Sequence, residues 1–250
     1  MPRTLFIDID GTLITEPPAA PSDLCIRAYP LLKLMRDYAV AAGQRSAEEA
    51  TRQIEHLLDT RTWWDWQDYL EVLDLKPSEF WDFADRAVGQ LLRPIEGHLD
   101  LKLEHLSHAG CRLCITSNNP TSGIRHKLRL AGLGRSWQKQ HVDRVFGTDV
   151  TRAMKWDRRF WSEAIKLADT AVHSITVVGN DWHDDVVMPA QEGVREFVFF
   201  DAAGTNREAA PPGATVRRVQ SWAEAVDAIL AGRGRSGSGV GVAAQSGGGA

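Results

Sequence analysis

Thr4-Leu-Phe-Ile-Asp-Ile-Asp-Gly-Thr12 sets the reading of the whole chain: a short apolar run carries two aspartates, two residues apart, and ends at a glycine. Such a run reads as a buried strand entering a tight turn. Side chains on a strand alternate, so Asp8 and Asp10 fall on one side while Ile7 and Ile9 point into the sheet. Two carboxylates so close do not both stay ionised without a cation or a shared proton. Alone, the pair also fits a solvated turn with aspartate caps, so its surroundings decide.

From residue 93 onward strands and helices alternate. The pattern predicts a helix near 98–109, a strand over 111–117, a helix beginning at Pro120, and strands near 143–146, 174–178 and 196–200 with helices between them. Alternation of this kind specifies a parallel sheet with helices on both faces, and such sheets bind ligands at the carboxyl ends of their strands. Two more polar clusters stand at those ends. In Ile115-Thr-Ser-Asn-Asn-Pro-Thr121, a phosphate can accept bonds from Ser117, Asn118 and the free N–H groups of the helix start. Taken alone, Ser117 to Asn119 would merely cap that helix. Val177-Val-Gly-Asn-Asp-Trp-His-Asp-Asp185 ends another strand and packs three aspartates into positions 181 to 185. That density is costly unless a divalent cation offsets it, and hard oxygen donors suit magnesium. His183 suits such a metal poorly and is expected in solvent.

Between the first strand and residue 93 the text is different. Glu16-Pro-Pro-Ala-Ala-Pro21 is a stiff connector, and residues 22–92 read as a compact helical bundle. Pro30 suits a first helical position, Gly43 a C-terminal cap, and Ser46 with Glu49 and Thr62 with Asp65 match the capping box. Ser78 starts a fourth helix, in which Phe80, Phe83, Ala84, Ala87, Val88 and Leu91 form one apolar stripe. Trp63, Trp64 and Trp66, placed on one helix, cannot all face inward; two are expected in the core and one toward the active-site cleft, where it would shape substrate choice.

Composition bounds the function. With 29 Lys+Arg against 33 Asp+Glu among 250 residues, the formal charge is −4, which argues against a strongly basic nucleic-acid binder. The 43% hydrophobic and 25% charged content is that of a folded soluble chain. No apolar run reaches the roughly 18–20 residues of a membrane span, and Asp8 interrupts any signal-peptide core, so a cytoplasmic protein is expected. Three cysteines are too few for a disulfide framework. Cys111 and Cys114 form a CxxC leading into a strand, where side chains three apart face opposite ways, so they are expected to be structural. The eight glycines of residues 232–250 mark a disordered tail, with Arg233 and Arg235 solvated.

Together, Asp8-Ile-Asp10-Gly11-Thr12, the strand ending in Ser117-Asn118, Lys155, and Gly179-Asn-Asp181 with Asp185 resemble the four ordered motifs of the haloacid dehalogenase superfamily. The resemblance spans residues 4 to about 200. It implies an α/β fold, a Rossmann-like parallel sheet with helices on both faces, and a small all-helical cap inserted between the first two motifs. The expected division is a discontinuous core of 1–16 and 93–231, a cap of 17–92, and the tail. It further implies a magnesium-dependent phosphomonoesterase acting on a small phosphorylated metabolite, with neither nucleic acid nor membrane as partner. Asp8 would be the nucleophile and Asp10 the general acid and base. Magnesium would sit on Asp8, the Asp10 carbonyl and Asp181, and Ser117, Asn118 and Lys155 would bind the phosphoryl group.

Departures from the family pattern also matter. Asn180 stands where an acidic residue usually follows the glycine, so Asp181 is the expected ligand and Asn180 the neutral alternative; Asp185 fits the second acidic position, with Asp184 competing. Trp156 replaces the usual proline after Lys155. Three rival readings remain. A phosphomutase of the β-phosphoglucomutase type would carry a histidine in the first linker, absent from Glu16 to Pro21. A haloacid dehalogenase would lack Asp10, and a non-catalytic binding protein on the same scaffold would have no need of Asp8, Asp10, Lys155 and Asp181 together.

Overall fold

The computed structural model describes residues 3–15, 30–87 and 92–231. The connector Glu16–Pro21, Cys25, Val88, Leu91 and the glycine-rich tail lie outside the described residues. Strand β1 (Thr4–Ile7) and a two-residue β2 (Ile14–Thr15) precede helices α1 (Pro30–Ala41), α2 (Ala47–Thr60), α3 (Trp66–Val72) and α4 (Pro77–Ala87). The chain returns through β3 (Arg93–Pro94), antiparallel to β2, so the helical insertion leaves and re-enters by a narrow two-stranded ribbon. Then come α5 (Leu99–His108), β4 (Arg112–Thr116), α6 (Thr121–Leu130), α7 (Arg135–His141), β5 (Val142–Phe146), α8 (Thr148–Thr151) and α9 (Arg158–Ala168). The last elements are β6 (Ile175–Gly179), a π-helical turn at His183–Val187 running into α10 (Met188–Gln191), β7 (Glu196–Phe200), β8 (Thr215–Val219) and α11 (Trp222–Ala231).

Six strands form one sheet in the order β5-β4-β1-β6-β7-β8, all neighbours parallel. This is an α/β, Rossmann-like architecture. β1 and β6 are buried along their whole length because helices cover both faces, which is why they read as unbroken apolar runs. Alternation sorts their side chains into two cores. Leu5, Ile7, Leu113, Ile115 and Val178 pack on one face, and Phe6, Cys114, Phe146, Val177 and Phe197 on the other. Cys111 and Cys114 belong to opposite cores and are not bridged to each other; burial pushes the Cys114 thiol up to about 12, which suppresses the reactive thiolate. Among the described residues, no helix is long and apolar enough to cross a membrane.

The β2–β3 ribbon lies outside the sequence-based expectation, and two further elements depart from it. β8 was not expected: its residues Thr-Val-Arg-Arg-Val lie at the sheet edge, where Arg217 pairs with Glu196 at 2.8 Å and Arg218 lies over the Trp182 ring. Such polar edge strands blunt unwanted pairing and do not alternate cleanly. The third helix does not start at a Thr62 capping box. Asp65 is itself the N-cap, its carboxylate accepting from the Gln67 N–H at 3.0 Å, so only Trp66 of the three tryptophans is helical. Ser46 does cap α2, accepting from the Glu49 N–H at 3.2 Å.

Candidate active site

The chain runs from β1 outward to β4 and β5, then crosses to β6 and onward to β7 and β8. The strand order therefore reverses beside β1, and the carboxyl ends of β4, β1 and β6 meet at that switch point. Just past β1 the chain folds into a tight turn: Thr12, Leu13 and Ile14 all donate their N–H groups to the Ile9 carbonyl, and Gly11 donates to Ile14. Gly11 has φ +80°, and a side chain there would strike the Asn180 amide.

Asp8, Asp10, Ser117, Asn118, Lys155, Asn180, Asp181 and Asp185, the eight residues singled out from sequence, all line one cavity of about 180 Å³, together with Asp184. Every lining group is polar. At its floor Lys155 is buried between two buried carboxylates, 2.7 Å from Asp8 and paired also with Asp185, while the Trp161 ring lies 5.9 Å away. Thr12 donates to the second oxygen of Asp8 at 3.2 Å. Burial raises the Asp8 pKa, the Lys155 ammonium lowers it, and repulsion from Asp185 and Asp10 raises it again, leaving it at about 7. Lys155 is held well above its ordinary value: burial opposes its charge, but Asp185 and Asp8 outweigh that. Burial likewise raises Asp185.

The third cluster is arranged around Asp185. Its Oδ2 accepts the N–H groups of Asn180 and Asp181 at 3.1 and 3.0 Å, and Gly179 leaves room for it, since a Cβ there would occupy the carboxylate's position. Asp185 is thereby an anchor within the protein. Asp181 is exposed at the rim, its Oδ1 accepting from the Asp184 N–H at 2.8 Å. The Asn118 amide bridges the motifs, donating to Asp184 at 2.9 Å and accepting from the Lys155 N–H at 2.6 Å. Ser117 accepts from both the main-chain N–H and the amide of Asn119, each at 3.1 Å, which leaves its hydroxyl hydrogen to donate into the cavity. His183 is exposed, as expected.

Asp10 has a different environment from Asp8. Its side chain is 46% exposed, with Lys127 of α6 on one oxygen at 2.5 Å and Asn119 on the other at 2.8 Å. The sequence reading missed Lys127. The signal available was helical spacing, because residues 120, 123, 124 and 127 share the face of a helix that begins at the site. The expected tryptophan at the cleft is also not found there. None of Trp63, Trp64 and Trp66 lines the cavity: Trp66 covers Gly123 of α6, and Trp64 packs on Trp66 and Trp156 in the seam between insertion and core.

The family model for haloacid dehalogenase-like hydrolases matches residues 2–193, which takes in every motif above. The chain belongs to the haloacid dehalogenase-like hydrolase family. This hydrolase shares its fold with a haloacid dehalogenase-family phosphatase from Thermococcus onnurineus at 24% identity and a TM-score of 0.60, over 93% of this chain and 99% of that one. A 2-haloacid dehalogenase from Pseudomonas syringae pv. tomato aligns at 16% identity and a TM-score of 0.61, over 92% and 99% of the two chains. No curated protein sequence matches. Phosphatase and dehalogenase thus share this fold about equally with the hydrolase, and its chemistry has to be argued from the site.

Proposed function

We propose that this hydrolase is a magnesium-dependent phosphatase that cleaves a small phosphorylated metabolite through an aspartyl-phosphate. The observation that carries the reading is a second carboxylate, Asp10, in the same polar cavity as the buried Asp8. Ester cleavage to a phosphoenzyme needs a nucleophile and a separate proton donor, a division of labour that two differently placed carboxylates supply. In the first step an Asp8 oxygen attacks phosphorus, the bond to the substrate oxygen breaks, and Asp10 delivers a proton to that oxygen. In the second, water attacks the same phosphorus, Asp10 takes its proton, and the Asp8–phosphorus bond breaks to release phosphate. The Ser117 hydroxyl, the Asn118 amide and Lys155 would hold the phosphoryl oxygens as charge shifts onto them.

The residues present fit a magnesium ion. All candidate donors are hard oxygens, and two buried carboxylates share a single buried ammonium, so that ionising both leaves one negative charge for a cation to offset. No described residue donates a hydrogen bond to the Asp10 main-chain carbonyl. Among the described residues, no three carboxylate, imidazole or thiolate side chains are placed to hold a metal ion by themselves, so the ion would also need the Asp10 carbonyl, water and substrate oxygens as ligands, which magnesium accepts. Asp8, the Asp10 carbonyl and Asp181 would hold it, with Asn180 and Asp184 at the rim. When bound, it supplies the positive charge that lets an anionic nucleophile meet an anionic ester. The four inserted helices would act as the cap over this cavity.

A screen of sugar, nucleotide and glycolytic monoesters, with magnesium and then with a chelator, tests the reading. Turnover that stops with the chelator and with Asp8→Asn is expected. No turnover on any monoester, or turnover that survives Asp8→Asn, overturns it.

A further inference from the structure

The Lys127 ammonium is placed where ordinary solvation does not explain it. Lysine stems are long enough to carry their charge to water from almost any helix position, yet the Lys127 side chain is only 10% exposed and turns inward. Among the described residues its ammonium meets one carboxylate, Asp10, at 2.5 Å. A buried ammonium is costly unless paired, so Asp10 is what makes this placement tolerable. The relation runs both ways. Asp10 lies past the end of β1 with nearly half its side chain in solvent, and its two oxygens are fixed by Lys127 and by Asn119, whose amide also reaches Ser117. Helix α6 is in turn fastened to the inserted helices on the flanks of Lys127: Asp85 of α4 pairs with His126 and, at 2.7 Å, with Arg129, and Trp66 covers Gly123.

We propose that Lys127 is a positioning residue for Asp10: by holding the carboxylate at the cavity it places the group that protonates the leaving oxygen and later deprotonates water. The inference rests on the phosphatase reading above. Misplacement of a reacting group by about 1 Å can lower a rate about a hundredfold, and a positioned acid or base contributes roughly 10²- to 10⁴-fold. A variant without the ammonium keeps Asp10 but no longer aims it.

Lys127→Met, which keeps the length and most of the volume of the stem, tests this by leaving-group dependence. An alkyl phosphate expels a poor leaving group and needs the proton; 4-nitrophenyl phosphate expels a stable phenolate and does not. In Lys127→Met, kcat for the best alkyl phosphate of the screen is expected to fall roughly 10- to 100-fold, with KM changed by less than about threefold. With 4-nitrophenyl phosphate the rapid first release of nitrophenolate should persist within about threefold of the unaltered rate, while later turnovers slow because water activation still needs Asp10. Lys127→Arg should restore part of the alkyl phosphate rate.

Four results overturn the proposal. Unchanged kinetics remove the need for Lys127. Equal losses in the first step for both substrates, together with a lowered unfolding midpoint, assign it a purely structural role. A raised KM at constant kcat makes it a substrate-binding cation. An unaltered protein that turns over no monoester refutes the phosphatase reading and this proposal with it, whereas turnover without the leaving-group signature refutes the proposal alone.

Discussion

Replacing Lys155 by methionine tests the electrostatic frame of the site. Methionine keeps much of the volume of the lysine stem, so the substitution removes chiefly the charge, and with it the ammonium's contact with the Trp161 ring at 5.9 Å. What remains is a pair of buried carboxylates, Asp8 and Asp185, with no cation between them. Removing one partner of a buried ion pair costs about 3–5 kcal/mol. For a chain of 150–250 residues each kcal/mol moves the unfolding midpoint by roughly 2–4 °C, so the variant should unfold roughly 6–20 °C lower at about pH 8. The pH dependence carries the sharper test. Loss of the ammonium raises both carboxylate pKa values further above their unfolded values, so the folded state binds protons more tightly than the unfolded one. Stability is then lost as pH rises and regained as it falls, and the deficit should shrink markedly at about pH 5.5, where protonation removes the stranded charges. Thermal unfolding followed by circular dichroism in metal-free buffer at the two pH values gives the comparison. A variant within about 2 °C of the parent at pH 8, or an equal deficit at both pH values, refutes the account of Lys155 as the compensating charge.

Asp8→Asn should raise the metal-free unfolding midpoint at about pH 8 while abolishing turnover. The folded pKa of Asp8 lies near 7, above its ordinary value of 3.8, so its contribution is favourable below about pH 4 and is lost progressively as pH rises from there through 7; the two proteins should converge only toward about pH 4, and a lower midpoint for Asp8→Asn at pH 8 would contradict the burial argument. Gly179→Ala drives a methyl group into an Asp185 carboxylate that Lys155 and two N–H groups hold in place, and should destabilise by about 1–3 kcal/mol in denaturant titration. Asp85→Ala unties His126 and Arg129 from α4. With Asp85 nearly half exposed, about 1 kcal/mol is expected, seen as a midpoint roughly 2–4 °C lower.

The parts of the fold that could be read from sequence are those where burial leaves no choice of residue. β1 and β6 are apolar throughout because both faces are covered, and Asp8, Ser117, Asn118 and Asp181 stand directly after strands because that is where a parallel sheet exposes its cavity. The unread parts share a different cause. β8 carries arginines whose guanidinium groups find Glu196 and the Trp182 ring, so its hydrophobic pattern is masked. The start of α3 was misplaced because Thr62 and Asp65 satisfy a spacing rule, while the backbone uses Asp65 itself as the cap. Lys127 escaped notice because a lysine in an amphipathic helix normally belongs to the solvated face.

Asp8 and Asp10 show most directly what spacing alone leaves open. Two positions apart just past the end of β1, they look equivalent, and both line the same cavity. Their environments then separate them. Asp8 is buried against Lys155, Thr12 and a second carboxylate, and its pKa is displaced to about 7. Asp10 is half in water and held by an ammonium and an amide from the next helix unit. A carboxylate shielded from water and aimed inward is suited to attack, because nothing else competes for the electrophile. One at the mouth of the cavity is suited to exchange protons, because it can reach both leaving oxygen and incoming water. In the proposed reaction the division of labour would therefore come from the groups that surround each aspartate, Lys155 for one and Lys127 for the other, and exchanging either lysine for an uncharged residue should blur it in a different step.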